Sequence, residues 1–203
     1  MPSQKEPAQW PHDASFHGWW IEPGRLLAGE HPCNTLRNPF GRVTERLQFL
    51  ADAGIVTTVD LAGCYGLGED YEAKWLALGK TCGREHRTVR RPIADLGVAS
   101  SDAYLELCTE IDSELEANRP VFVHCLWGIG RTGTLVGVWL RRRGHDFKAT
   151  INIISRARAG TCRADSPCPE TDCQLDVIRR SGSSVKADRS GAVEASSVPF
   201  TQQ

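Results

Sequence analysis

No apolar run in this chain approaches the ~20 residues that a membrane span needs. The opening, Met1-Pro2-Ser3-Gln4-Lys5-Glu6, lacks the apolar stretch of a signal peptide. Together these absences give a cytoplasmic location as the expectation. An excess of either charge is missing too. The formal net charge is -1, which gives no electrostatic reason to expect nucleic acid or an anionic membrane as a partner. No internal repeat is present. Cysteine, by contrast, is plentiful, with eight residues. Without a signal peptide they are expected as thiols. Cys162, Cys168 and Cys173 lie close together, but their gaps do not match the paired short spacings of zinc sites, so no metal is expected.

What remains is the composition of a globular protein: 40% hydrophobic and 24% charged over 203 residues, enough for one domain with a full core. Residues 1–17, rich in Pro, His and polar side chains, read as a flexible arm. Residues 18–181 read as the folded domain. Residues 182–203, rich in Ser, Gly and Ala, read as a flexible tail.

Within the domain, Trp19-Trp20-Ile21 and Arg25-Leu26-Leu27-Ala28 flank Glu22-Pro23-Gly24, which predicts two short strands around a type II turn. The two tryptophans are read as core. Val43, Leu47, Leu50 and Ala51 have helical spacing, and Gly54 is a stop. The β-branched run 55–61 is a buried strand, followed by a glycine-rich loop. A helix over 69–78, a strand near 85–89 and a helix over 101–118 follow, with Tyr104, Leu107, Cys108, Ile111 and Leu115 on the last helix's inner face. The run 121–123 is a strand, 135–143 a buried helix, and two further helices begin near Phe147 and Glu170. This alternation argues an α/β fold: a central, mostly parallel sheet flanked by helices.

The most informative stretch is His124-Cys125-Leu126-Trp127-Gly128-Ile129-Gly130-Arg131-Thr132-Gly133. A strand ends at a cysteine, a glycine-containing loop follows, and then a helix. Such a loop can turn its N–H groups inward, and the helix behind it adds its positive end, so the pair forms an oxyanion cradle. Leu126, Trp127, Gly128, Ile129, Gly130 and Arg131 would line it. Arg131 can hold one phosphate through two parallel hydrogen bonds. Cys125 would sit at the bottom, where positive potential favours the thiolate nucleophile. His124 would order the loop from behind.

His124-Cys125-x5-Arg131-Thr132 resembles the His-Cys-x5-Arg-Ser/Thr signature of the protein tyrosine phosphatase superfamily. The Gly-x-Gly-Arg-Thr-Gly wording is most similar to its dual-specificity branch. That resemblance implies a phosphotyrosine protein phosphatase-like fold and a cysteine-dependent hydrolase of phosphate monoesters that needs no cofactor. It also implies that Asp95, in Ile93-Ala94-Asp95 some thirty residues before Cys125, is the general acid. Relatives often carry Pro where this chain has Ala94. The Thr132 hydroxyl would hydrogen-bond the Cys125 sulfur. Glu170-Thr171-Asp172-Cys173-Gln174 resembles a family stretch that borders the active site, where Gln174 would position water. Cys64, in the glycine-rich loop, would form a reversible disulfide with Cys125. The expected substrate is a phosphorylated protein, phosphotyrosine first and phosphoserine/threonine with it. The alternatives are a phosphoinositide or small phosphate ester, or a non-catalytic phosphate-binding module. Apolar Leu126, Trp127 and Ile129 favour the less charged substrates.

Overall fold

The computed structural model describes residues 9–34, 42–63 and 70–182. Its elements are β1 (Gly18–Glu22), β2 (Leu26–Glu30), α1 (Val43–Asp52), β3 (Thr57–Asp60), α2 (Glu72–Thr81), β4 (Arg87–Arg90), α3 (Ser101–Glu116), β5 (Val121–Cys125), α4 (Gly130–Arg142), α5 (Phe147–Arg158) and α6 (Asp172–Arg180). The sheet order is β1-β2-β5-β3-β4. Only β1 runs against its neighbour; β2, β5, β3 and β4 are parallel. The expected mostly parallel α/β architecture is what forms.

Strand periodicity divides the core in two. Val121, Val123 and Cys125 face one side and pack with the apolar faces of α3 and α4. Phe122 faces the other side and packs with Phe16, Leu47, Leu50 and Trp75. Alternate residues of a strand point to opposite faces, so Cys125 and His124 are committed to different layers before any side chain is considered. Burial of each large apolar side chain contributes on the order of 1.5–3 kcal/mol, so this register is firmly held.

The β1–β2 turn closes as expected. Arg25 N–H donates to Glu22 O at 2.9 Å, and Gly24 takes φ +73°, a conformation that favours glycine. Three expectations need correction. Residues 9–17 are no loose arm: Trp10 and Phe16 are buried, and the Trp10 indole donates to Phe16 O at 2.8 Å. A tryptophan and a phenylalanine in a polar stretch bury enough area to hold it down. Residues 1–8 and 183–203 lie outside the described residues. The helix over 69–78 runs from Glu72 to Thr81, because Asp70 Oδ1 accepts the Glu72 N–H at 2.9 Å at its start. The helix expected to start at Leu135 starts at Gly130, five residues earlier. Apolar periodicity shows only from Leu135, but the turn before it is already closed by Gly133 N–H on Ile129 O at 2.8 Å and Thr134 Oγ1 on Gly130 O at 2.8 Å. Arg131 and Thr132 therefore sit in the first turn of α4.

Opposite the site, α3 is clipped to the start of β3. Glu114 is buried; it accepts from Thr57 Oγ1 at 2.5 Å and from Arg119 Nε and Nη2 at 2.7 Å each, and it also pairs with Arg87.

Candidate active site

The loop between β5 and α4 is turned inside out by its carbonyls. Leu126 O accepts from His31 N–H at 3.2 Å and from Asn34 Nδ2 at 2.9 Å. Gly128 O accepts from the Trp19 indole at 3.3 Å, and Ile129 O accepts from the Cys168 thiol at 3.3 Å. With the oxygens tied outward, the N–H groups of residues 126–129 donate to no protein acceptor among the described residues. They and the positive end of α4 follow directly on Cys125 at the end of β5, an arrangement that suits an anion. Gly128 is required twice over. Its φ is +70°, and a Cβ there would lie 2.3 Å from the Gly29 carbonyl carbon of β2.

Cys125 is buried at the end of β5. Arg131 is also buried, and its guanidinium reaches the expected acid loop. Nη2 donates to Asp95 Oδ1 at 2.8 Å, while Nη1 donates to Ile93 O at 3.0 Å and Leu61 O at 3.5 Å. The Asp95 carboxylate is about two-thirds exposed, at 65%. Its neighbour Leu96 takes φ +58°, an uncommon choice for a leucine. The structure thus joins Cys125, Arg131 and Asp95 around one loop. Thr132 is buried too, but its hydroxyl makes no hydrogen bond among the described residues, so the expected bond to the Cys125 sulfur is not formed.

Gln174 is buried, with a more specific set of bonds than its expected role suggested. Its Oε1 accepts from Glu170 N–H at 3.0 Å and Thr171 N–H at 3.3 Å, completing a capping box with Thr171. Its Nε2 donates to Gly97 O at 3.2 Å, two residues beyond Asp95. A Cβ on Gly130 would meet Gln174 Oε1 at 3.0 Å and Glu170 Oε2 at 2.2 Å. Gln174 therefore braces the acid loop against the first turn of α4. Cys64 lies outside the described residues; β3 does lie beside β5, in register from Thr57↔Val121 to Asp60↔His124.

His124, on the opposite sheet face, belongs to a buried polar cluster that the sequence did not reveal. Its Nε2 lies 2.7 Å from the Tyr71 hydroxyl, and its ring is edge-on to His31 with centroids 4.8 Å apart. Asp60 Oδ1 lies 3.8 Å from His124 Nδ1 and accepts the Ala62 and Gly63 N–H groups at 2.8 and 3.0 Å. Burial drives the His124 pKa down and that of His31 to about 3. Burial works against the Asp60 carboxylate, yet the two histidines and the two backbone N–H groups keep its pKa below the usual range. The donors of His31, Asp60 and His124 come close enough together to suggest a metal. The hydrogen bonding argues otherwise. His31 Nδ1 accepts the Cys33 N–H at 3.0 Å, so its Nε2 carries the proton and offers no lone pair. Asp60 had one signal, a polar residue closing a β-branched run, and Tyr71 and His31 had none.

One further residue borders the loop. The Arg163 guanidinium lies over the Trp127 ring, 4.5 Å from its centroid.

Comparison with known proteins follows this geometry. Among solved structures, the chain is similar to the active form of Tk-PTP, with 23% identity and a TM-score of 0.64 over 86% of this chain and 98% of that one. PTPMT1 in complex with PI(5)P is 19% identical, with a TM-score of 0.62 over 86% and 99% of the two chains. Kinase associated phosphatase, with its catalytic site cysteine substituted by serine, is 16% identical, with a TM-score of 0.64 over 94% and 100%. At these identities the likeness is one of fold. No curated protein matches the chain. The sequence model of one family, described as "Polymorphic toxin system, DSP-PTPase phosphatase", matches residues 37–145. That span is more than half of the chain and runs through the acid loop, the signature and α4, so the chain belongs to this family of dual-specificity-type phosphatases.

Proposed function

We propose that the protein hydrolyses phosphate monoesters through a cysteinyl-phosphate, with phosphotyrosyl protein as its first substrate class and phosphoseryl or phosphothreonyl protein as its second. The observation that carries this reading is the inside-out loop: unclaimed N–H groups of residues 126–129 around Cys125, with Arg131 bonded to Asp95 at 2.8 Å. Cys125 attacks phosphorus as a thiolate, in line with the leaving oxygen. Arg131 and the loop N–H groups hold the equatorial oxygens. Asp95 leaves its contact with Arg131, takes up a proton from solvent and passes it to the leaving oxygen, so a poor leaving group departs neutral. Water then attacks the cysteinyl-phosphate with Asp95 as base. The free Thr132 hydroxyl turns to the departing sulfur. Gln174, with its oxygen fully engaged, acts here as a positioning residue for the Asp95 loop rather than as a holder of water.

The second reading, a phosphoinositide or other small phosphate ester, has one observation in its favour. Arg163 over Trp127 sets an extra cation at the rim of the loop, and the similar PTPMT1 structure holds PI(5)P. A phosphate-release screen with EDTA present, across phosphotyrosine, phosphoserine/threonine and phosphoinositide substrates, decides between them. Fastest release from phosphotyrosyl peptides supports the first reading. Fastest release from phosphoinositides selects the second. Binding without turnover on every substrate rejects both and leaves a phosphate-binding module.

A further inference from the structure

Away from Cys125, the chain brings a second cysteine into a histidine–carboxylate environment. Asp13 and His17 belong to the segment ahead of β1, and Cys162 to the loop after α5. His17 Nδ1 lies 2.6 Å from Asp13 Oδ1 and 3.5 Å from Cys162 Sγ. Asp13 Oδ2 accepts the Cys162 N–H at 2.5 Å, and the Cys162 thiol donates to Asp13 O at 3.4 Å. Oxygen, nitrogen and sulfur donors thus surround one point, and all lie within 4.8 Å of one another. His17 is fully buried, Asp13 is partly buried and Cys162 is exposed, so the cluster has a fixed floor and an open mouth.

We propose that Asp13, His17 and Cys162 form a three-ligand site for a divalent metal ion of the zinc class, with the fourth position open to solvent. Zinc bonds of ~2.0 Å to nitrogen and ~2.3 Å to sulfur, at a tetrahedral angle, set the two donors about 3.5 Å apart. The His17–Cys162 separation already has that value. The oxygen–nitrogen pair, now closed around a proton, widens to about 3.3 Å when a metal replaces that proton. Charge balances simply: the thiol proton leaves to solvent and the imidazole proton moves from Nδ1 to Nε2. His17 Nε2 is buried with no hydrogen-bond partner. Without that outer support the site binds roughly 10–100-fold more weakly than a fully buttressed one, which makes the metal exchangeable.

Such a site escapes the sequence because the ligands stand 145 residues apart. Cys168 and Cys173, the neighbours of Cys162 in the chain, take no part. Arg163, which follows Cys162, rests on Trp127 of the signature loop, so a bound ion would pin the active-site rim to the N-terminal segment.

The test uses the full chain carrying Cys125→Ser, which keeps the catalytic thiol from competing. Cobalt is titrated while the near-ultraviolet thiolate-to-metal charge-transfer band is followed, and zinc is titrated by calorimetry. The expected result is one equivalent of either metal and a cobalt–thiolate band. Adding Cys162→Ser should remove the band and weaken zinc at least ~10-fold, while Cys173→Ser should change neither. Cys162 is exposed, so its variant should keep the parent's melting temperature without metal; zinc should raise that temperature in the parent alone. A missing band, or an identical band with Cys162→Ser, overturns the proposal. A band lost with Cys173→Ser assigns the metal elsewhere and overturns it equally.

Discussion

The signature loop and the acid loop are anchored to different extents. The first is fixed at three of its backbone carbonyls and by one close backbone approach. Its carbonyls are claimed by the 31–34 segment, Trp19 and Cys168, and Gly128 is pressed against β2. The acid loop is anchored by Arg131 on Ile93 and Asp95 and by Gln174 on Gly97, and the Asp95 side chain stays largely exposed. The tip of this loop carries exposed Leu96 in a left-handed conformation. An oxyanion cradle must be preorganised, whereas an acid has to leave Arg131 and then return.

The largest expected effect comes from the rigid side. Cys125→Ser should abolish turnover, since a hydroxyl in this place does not ionise, while binding of a phosphate mimic such as tungstate should survive because the cradle is intact. Phosphate release and tungstate calorimetry measure the two. Measurable turnover by this variant would falsify the cysteinyl-phosphate route. Next is the mobile side. Asp95→Asn should slow hydrolysis of alkyl and phenolic phosphates by about 10²–10⁴-fold and matter little for a leaving group stable as an anion. Single-turnover rates on the two substrate types make the comparison, and equal losses would assign the proton to another residue.

Gly128→Ala attacks the backbone support itself. The positive φ and the 2.3 Å approach to Gly29 together should cost about 3 kcal/mol of stability, read by urea denaturation. Unchanged stability would mean that the loop is not braced by β2. Gln174→Ala should lower kcat by roughly 10-fold, leaving tungstate affinity in the Cys125→Ser background unchanged, because a strut on the acid loop does not touch the cradle. A loss of affinity equal to the loss of rate would move Gln174 into the binding set.

A pH-dependent effect follows from the buried cluster behind the loop. In the unfolded chain a histidine takes up its proton near pH ~6.5, but folded His31 does so only at about 3. Between those values the unfolded state holds more protons, so stability should fall as pH drops from ~6.5 toward 3, by up to about 1.4 kcal/mol per pH unit per histidine. Replacing His31 by Gln should flatten that slope in chemical denaturation.

These contrasts also explain what the sequence disclosed. The roles proposed for Cys125 and Arg131 could be read because a phosphate cradle forces its parts into one short segment with a fixed spacing. Asp95 was legible only beside that signature, since a loop aspartate alone says little. The apolar faces of α1 and α3 were legible because burial imposes a period. The start of α4 was not, because Gly130, Arg131 and Thr132 have no apolar period and are drawn into the helix by its first closing hydrogen bonds. Thr171 with Gln174 can be read as a capping box, but nothing local shows the bond to Gly97. The His31–Asp60–Tyr71–His124 grouping could not be read as a cluster, because its members come from four separate segments.

The position of β5 in the sheet has a kinetic consequence. It lies between β2 and β3, pairing Leu26 with Val121 and Thr57 with Val121. Both ladders close long chain loops, which is the kind of contact that forms late and slows folding. During synthesis, the two strands that flank the nucleophile's strand leave the ribosome long before it does. They wait with a gap between them, and an unfilled sheet edge invites wrong partners. Cys125 arrives on the strand that fills the gap. On the proposed function, the site around it cannot assemble until the central sheet is complete, and a partly folded chain would not act on phosphate.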